Sequence, residues 1–249
     1  MKKHFIALAL SLGTFFAFAQ DLKSVVYKDG NQKLVGYVTP NIDQGKPGVL
    51  ILPAWKGIDN EAKTAALELS KKGYSAFIAD IYGEGNAPTS NEDAAKKAGY
   101  YKENYQMYQY RIKLALEEYQ KMGTKLNKIA VIGYCFGGTG ALEVARAGFD
   151  VAGVVSIHGG LAKDVQRANK EIKTKVLVEH PANDQSVTAQ DYDNLVKELK
   201  EGKADWQIIT YANSGHTFTN PESKEYNKIM ADRAWQHTLL FLAEILKTK

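Results

Sequence analysis

Three residues of this 249-residue chain have the types and the chain order needed for nucleophilic catalysis: Cys135, Asp184 and His216. Cys135 is the chain's one cysteine, so no intramolecular disulfide can form and the thiol is left for other chemistry. It stands in Gly133-Tyr134-Cys135-Phe136-Gly137-Gly138, after the apolar run 129–132. A strand turning sharply into a helix would hold the sulfur at its tip, and glycines two residues to either side suit so tight a turn. The helix that follows would aim free N–H groups and its positive dipole end at the sulfur, which favours a thiolate. The N–H of Phe136 would then be placed to receive an oxyanion. His216, in Gly215-His216-Thr217-Phe218, could take the thiol proton and return it to a leaving group. Asp184, after Pro181-Ala182-Asn183, could orient that imidazole and offset its charge. Structural alternatives stand beside these roles: a buried cysteine on a tight turn, and an aspartate that only forms a turn.

The elements that must position these residues can be read in order. Residues 24–27 and 34–39 predict an opening β-hairpin around Asp29-Gly30-Asn31. The fully apolar run 48–52 predicts a central parallel strand, and it leads into Pro53-Ala54-Trp55-Lys56-Gly57. A helix is expected over 59–72, capped by Asp59 or Asn60 and stopped by Gly73. A strand over 74–79 runs into Asp80-Ile81-Tyr82-Gly83-Glu84-Gly85. Residues 91–122 predict a helical region broken at Gly99. Its many tyrosines are expected to pack the helices with phenol edges in water; the sharper alternative is that one or two line a cleft. Strands are expected at 151–157, 175–179 and 206–210, and helices at 188–200 and 222–246. Strands alternating with helices imply an α/β fold, a mostly parallel sheet covered on both faces. Ligands of such sheets bind beyond the C-terminal strand ends, where Cys135, Asp184 and His216 all fall. His158 also follows a strand and reads as structural or as support for the cleft wall; His180 and His237 read as structural.

Composition bounds the rest. The net charge of +4 includes Lys2 and Lys3, and no basic run or basic helix face is present, so nucleic acid is not an expected partner. The histidines lack metal-ligand spacing, and neither a metal nor a cofactor is expected. Residues 1–19 read as a signal peptide: two lysines, an apolar stretch, then Ala17-Phe18-Ala19 as cleavage site. No other stretch approaches membrane-spanning length. A protein exported to the periplasm or medium is expected, with one domain over 20–249, no stable membrane anchor and a monomeric state.

On these motifs the chain resembles the dienelactone hydrolase family of the α/β-hydrolase superfamily over nearly all of residues 20–249. Gly-Tyr-Cys-Phe-Gly-Gly is similar to that family's nucleophile elbow, Ala79-Asp80-Ile81-Tyr82-Gly83-Glu84-Gly85 to its segment after an early strand, and Gly215-His216-Thr217-Phe218 to its histidine loop. The resemblance implies an α/β-hydrolase fold and a Cys135–His216–Asp184 triad. It also implies an oxyanion hole from the N–H groups of Trp55 and Phe136, and hydrolysis of small esters or lactones through a covalent thioester. Tyr82, Arg111 and Phe218 are the expected substrate contacts. Two positions depart from the family pattern: Ala54 stands where many members place a glutamate beside the nucleophile, and Thr219-Asn220 follow Phe218 where an arginine would hold a substrate carboxylate. Two other readings compete: a non-catalytic ligand-binding relative, and a thiol redox sensor, which would lack a resolving cysteine.

Overall fold

The structure, a computed structural model, describes residues 22–42 and 46–246. The expected signal segment 1–19 therefore lies outside the described residues. Eight strands form one sheet in the order β1-β2-β4-β3-β5-β6-β7-β8. β1 (Lys23–Asp29) and β2 (Gln32–Val38) are the antiparallel hairpin, and β2 pairs antiparallel with β4 (Ser75–Ile78). From β4 onward, through β3 (Gly48–Leu52), β5 (Ile129–Tyr134), β6 (Gly153–Ile157), β7 (Lys175–Pro181) and β8 (Trp206–Tyr211), every pair is parallel.

The central strands are apolar runs because both of their faces are covered. Leu50 and Leu52 point to one face, with Phe77, Val131 and Leu142, and Val49 and Ile51 to the other, with Leu69, Ile132 and Leu242. This is the period-2 alternation of a strand. α3 (Tyr105–Lys121), α4 (Phe136–Ala147) and α5 (Ala189–Glu201) cover the first face; α1 (Asn60–Lys71) and α6 (Lys228–Ile245) cover the second. Asp59 caps α1, accepting from Ala62 N–H at 2.9 Å. Thr188 and Asp191 close a reciprocal capping box on α5.

Three expectations need correction. The break in the long helical region falls at Asn104, between α2 (Asn91–Glu103) and α3. There the Asn104 side chain donates to the Tyr100 carbonyl at 2.8 Å and offers that carbonyl a partner outside the helix; Gly99 continues α2. The closing helix begins at Lys228, capped by Asn227, because a run of turns over 222–226 comes first. The tyrosines divide. Tyr100 and Tyr110 are exposed, whereas Tyr101, Tyr108 and Tyr119 are buried, with their phenols on the Ile81 carbonyl, the Phe136 carbonyl and the Ser75 hydroxyl. Buried phenols find partners inside the protein. Among the described residues no helix is long and apolar enough to cross a membrane.

Candidate active site

Register brings the strand ends level. Leu52 sits opposite Gly133, Tyr134 opposite Ile157, Ile157 opposite Glu179 and Pro181 opposite Tyr211. The loops leaving β3, β5, β6, β7 and β8 therefore open at one edge. Cys135 stands between β5 and α4 with φ 53° and ψ −112°, a conformation that costs a non-glycine residue about 1–3 kcal/mol. Its surroundings enforce the bend. A Cβ at Gly133 would collide with the Gly137 carbonyl, and one at Gly137 with the Leu52 carbonyl.

The three chemistry-bearing side chains meet. His216 Nε2 lies 3.0 Å from Cys135 Sγ, and His216 Nδ1 lies 2.8 Å from Asp184 Oδ2. The loops that carry Asp184 and His216 are tied together by Asn183 N–H on the Ser214 carbonyl, at 2.9 Å. Burial alone would raise the Asp184 carboxyl, but hydrogen bonds from His216 and Ser186 outweigh it and hold its pKa at about 2. Burial likewise opposes charge on His216, yet the bonds to Asp184 and to the Cys135 sulfur lift that imidazole to about 10. The arrangement is that of an imidazolium beside a sulfur, held from behind by a carboxylate.

Of the amides expected to form an oxyanion hole, Phe136 follows Cys135 directly and Trp55 lies on the loop after β3. The Phe136 N–H opens α4, and neither it nor the Trp55 N–H has a hydrogen-bond acceptor among the described residues. Asp80 builds the support beneath Trp55. Its carboxylate accepts from Val35 N–H at 2.9 Å and Gly83 N–H at 2.8 Å, fixing the turn that carries Tyr82. The Tyr82 phenol then donates to the Trp55 carbonyl at 2.8 Å, and its ring stacks on Phe136 at 5.8 Å.

The expected substrate contacts fare differently. Tyr82 is buried, so it supports the Trp55 loop more than it faces open space. Arg111 is not brought to the sulfur: it is buried beneath the hairpin, donating to the Ile81 carbonyl at 3.0 Å and pairing with Asp29 at 2.9 Å. Phe218 is wholly buried, packed against Tyr211 and the His158 ring. Both corrections have one cause: a large apolar ring and an arginine with a buried partner go where packing and pairing satisfy them. Ser186, which bonds Asp184, also lines a cavity of about 460 Å³, together with Tyr108, Thr139, Gly160 and Lys102 among others.

Sequence reasoning missed Ser186, whose amide and hydroxyl donate to Asp184 Oδ1 at 2.9 and 2.6 Å. An Asp bonding the amide two residues on is a local turn pattern, so Asp184-Gln185-Ser186 carried a readable signal. It also missed Thr219 and Glu61, which meet through a 2.6 Å hydrogen bond across 158 residues of sequence; no local pattern announces such a contact. Among the described residues no group of three or more His, Cys, Asp or Glu could hold a metal ion.

Comparison with known proteins places the fold and the family. A protein of a Bradyrhizobium species described as a probable 2-oxo-3-(5-oxofuran-2-ylidene)propanoate lactonase is 23% identical over 224 residues, covering 86% of this chain and 90% of the relative. A carboxymethylenebutenolidase of a Pseudomonas species is 31% identical over 114 residues, covering 46% of this chain and 47% of the relative. The crystal structure of a dienelactone hydrolase-like promiscuous phosphotriesterase from metagenomic libraries superposes with a TM-score of 0.83 at 27% identity, covering 91% of this chain and 98% of that one. The sequence model of the dienelactone hydrolase family matches residues 34–246. With its mostly parallel sheet and its elbow at the end of β5, the chain belongs to the dienelactone hydrolase family of α/β-hydrolases.

Proposed function

We propose that this chain hydrolyses small carboxylic esters or lactones through a covalent thioester on Cys135. One observation carries the reading: Sγ, the His216 ring and the Asp184 carboxylate form a continuous hydrogen-bonded line, with links of 3.0 and 2.8 Å. The thiolate attacks the substrate carbonyl carbon, and the carbonyl electron pair moves onto oxygen, where the N–H groups of Phe136 and Trp55 receive it. Collapse of the tetrahedral intermediate expels the alkoxide, which takes the proton from His216 Nε2. A water then gives its proton to His216 and attacks the thioester carbonyl, and the sulfur leaves as thiolate. Asp184 holds the ring in the tautomer that presents Nε2 to the sulfur. Membership of a hydrolase family and the named lactonase and butenolidase relatives support the ester or lactone class.

The test is turnover of p-nitrophenyl acetate by the purified chain. Wild-type protein quenched in acid during turnover should carry acetyl on Cys135, seen by peptide mass spectrometry, and Cys135→Ala should lose hydrolysis. Unchanged turnover in that variant refutes the reading. We further propose that the protein is exported and that its mature form begins at Gln20, since Ala17-Phe18-Ala19 has the form of a cleavage site. Mass spectrometry of protein recovered outside the cytoplasm decides this, and a mature species that retains Lys2 would rule it out.

A further inference from the structure

A second histidine lies against the nucleophile, and the triad does not use it. His158 follows β6, is buried, and holds φ 39°, itself a strained value. Its ring centroid is 5.4 Å from that of His216. Its Nδ1 is 3.1 Å from the Cys135 amide nitrogen, which also donates to the Ile157 carbonyl at 3.0 Å. Its Nε2 is 2.8 Å from Thr219 Oγ1, and Thr219 Oγ1 is 2.6 Å from Glu61 Oε1 at the start of α1.

The direction of every bond in this line follows from its first member. A backbone amide can only donate, so His158 Nδ1 must accept and the ring hydrogen sits on Nε2. Nε2 then donates to Thr219, and the single hydroxyl hydrogen of Thr219 is left for Glu61. Protonating His158 at Nδ1 would break its bond to the nucleophile's amide. Burial, and after it the neighbouring positive His216, push its pKa down to about 3. The two imidazoles beside the sulfur are thus unlike: His216 can carry charge, whereas His158 is held neutral.

We propose that Glu61, Thr219 and His158 form a second hydrogen-bonded line to Cys135, in which His158 is a positioning residue that pins the nucleophile's strained backbone and leaves His216 as the one base the thiol can use. This deepens the proposed hydrolase reading and rests on Cys135 being the nucleophile. The line ends in a carboxylate whose charge strengthens each acceptor along it. Burial raises the Glu61 pKa to about 7, so the line is fully polarised above that pH and weakens below it. Asp59 precedes Glu61 in the chain, Glu68 follows on the same helix and pairs with Lys71, and Glu222 on the loop after β8 is held by Asn60. Glu179 from β7 and Asp232 from α6, the latter paired with Lys228, face it across a cavity of about 350 Å³. Asn60 and Glu222, which also line that cavity, are exposed, so Glu61 has a route to solvent separate from the triad.

The experiment compares wild type with His158→Ala, His158→Asn, Thr219→Val, Thr219→Ser and Glu61→Gln, each checked for a native circular-dichroism spectrum. It reads kcat and KM on p-nitrophenyl acetate and the rate of Cys135 alkylation by iodoacetamide from about pH 5 to 9, a range that brackets the raised Glu61 value. His158→Ala and Thr219→Val should lower kcat about tenfold or more with KM within about twofold, as expected when a positioning contact is lost. Asn at 158 keeps an acceptor for the Cys135 amide and Ser at 219 keeps the hydroxyl, so both should recover most of the rate. Glu61→Gln should remove a limb near pH 7 from both profiles. If the near-isosteric Thr219→Val leaves kcat, the alkylation rate and both pH profiles as in wild type, the line is overturned. Alkylation needs no turnover. Loss of the ester reading would therefore show as activity surviving Cys135→Ala, while the line would still be judged by Thr219→Val.

Discussion

At the scale of single residues, charge state decides what this site can do. With His216 raised to about 10 by its bonds to Asp184 and the Cys135 sulfur, and Asp184 lowered to about 2, the imidazole beside the sulfur holds its proton through the neutral pH range. Cys135 should therefore react with iodoacetamide at about pH 6.5 faster than a free cysteine, whose thiol ionises near 8.5; an ordinary rate there would break the link between geometry and reactivity. The same couple contributes to stability, with opposite signs at its two ends. The raised His216 value gives a contribution that is whole below its usual 6.5 and is lost as pH rises through about 10. The lowered Asp184 value gives one that is whole above its usual 3.8 and is lost as pH falls through about 2. Both are complete only between those usual values. Asp184→Asn should thus lower Tm most near about pH 5 to 6 and least near 10, a difference that melts of both proteins across pH would show. Its kcat should fall by orders of magnitude, on the order of 10⁴ by analogy with a serine-protease triad. A loss below tenfold would move the orienting role elsewhere. Glu179, on the strand that leads to Asp184, would not take that role, because it is buried on β7 and accepts from the Thr238 hydroxyl at 3.0 Å.

At the scale of elements, the hairpin and the two loops beneath the site act as scaffolding. Arg111 on α3 joins the end of β1, through Asp29, to the loop after β4, through the Ile81 carbonyl. That loop carries Tyr82, and Tyr82 holds the Trp55 carbonyl. Removing the guanidinium leaves Asp29 without its partner and the Ile81 carbonyl with the Tyr101 phenol alone. Arg111→Met should cost about 1–3 kcal/mol, seen as a lower midpoint in urea unfolding, while the preference between neutral and acidic substrates stays unchanged. A change in that preference with no loss of stability would restore Arg111 to the cleft. The strands, the elbow and the placing of Cys135, Asp184 and His216 at strand ends were legible in the sequence because each is local: an apolar run between turn residues, a pair of glycines, a histidine after a strand. The fate of Arg111 and Phe218 was not. A long-range ion pair with Asp29, and a ring slotted between Tyr211 and His158, depend on which strands become neighbours, and no window of sequence holds that information. The break at Asn104 was hidden for another reason: propensity marks Gly99 as the weaker helix residue, but a side chain that can bond the preceding turn ended the helix instead.

At the scale of the whole molecule, the cations on the α3–α4–α5 face bear on the charge of substrate that the proposed site would prefer. The loop after β6 brings Lys163 and Arg167 towards the cavity that Ser186 lines. Both are already engaged: Arg167 with Glu143 at 2.8 Å and over the Tyr105 ring, and Lys163 with Glu198 at 3.1 Å. Arg146, buried between Glu143 and Glu198, completes that network, in which each of the three cations has a carboxylate partner. With Arg111 beneath the hairpin, Lys102 is the cation lining this cavity that makes no ion pair among the described residues. Thr219, one of the two neutral residues that follow Phe218, is bonded to His158 and Glu61. A substrate carboxylate in this cavity would thus meet Lys102 and cations already engaged with Glu143 and Glu198, not a free guanidinium fork. A neutral ester or lactone should be preferred, or at least not disfavoured, because a missing charged hydrogen bond is worth roughly 1.5–3 kcal/mol, about ten- to a hundredfold in specificity. The measurement is the ratio of kcat/KM for a neutral lactone and for its carboxylated analogue, in wild type and in Lys102→Ala. A ratio near or above one in both proteins fits a cleft whose cations are internally paired. A preference of tenfold or more for the acid, abolished in Lys102→Ala, would show that one exposed lysine supplies the anchor and that the pairing of the surrounding charges does not set specificity.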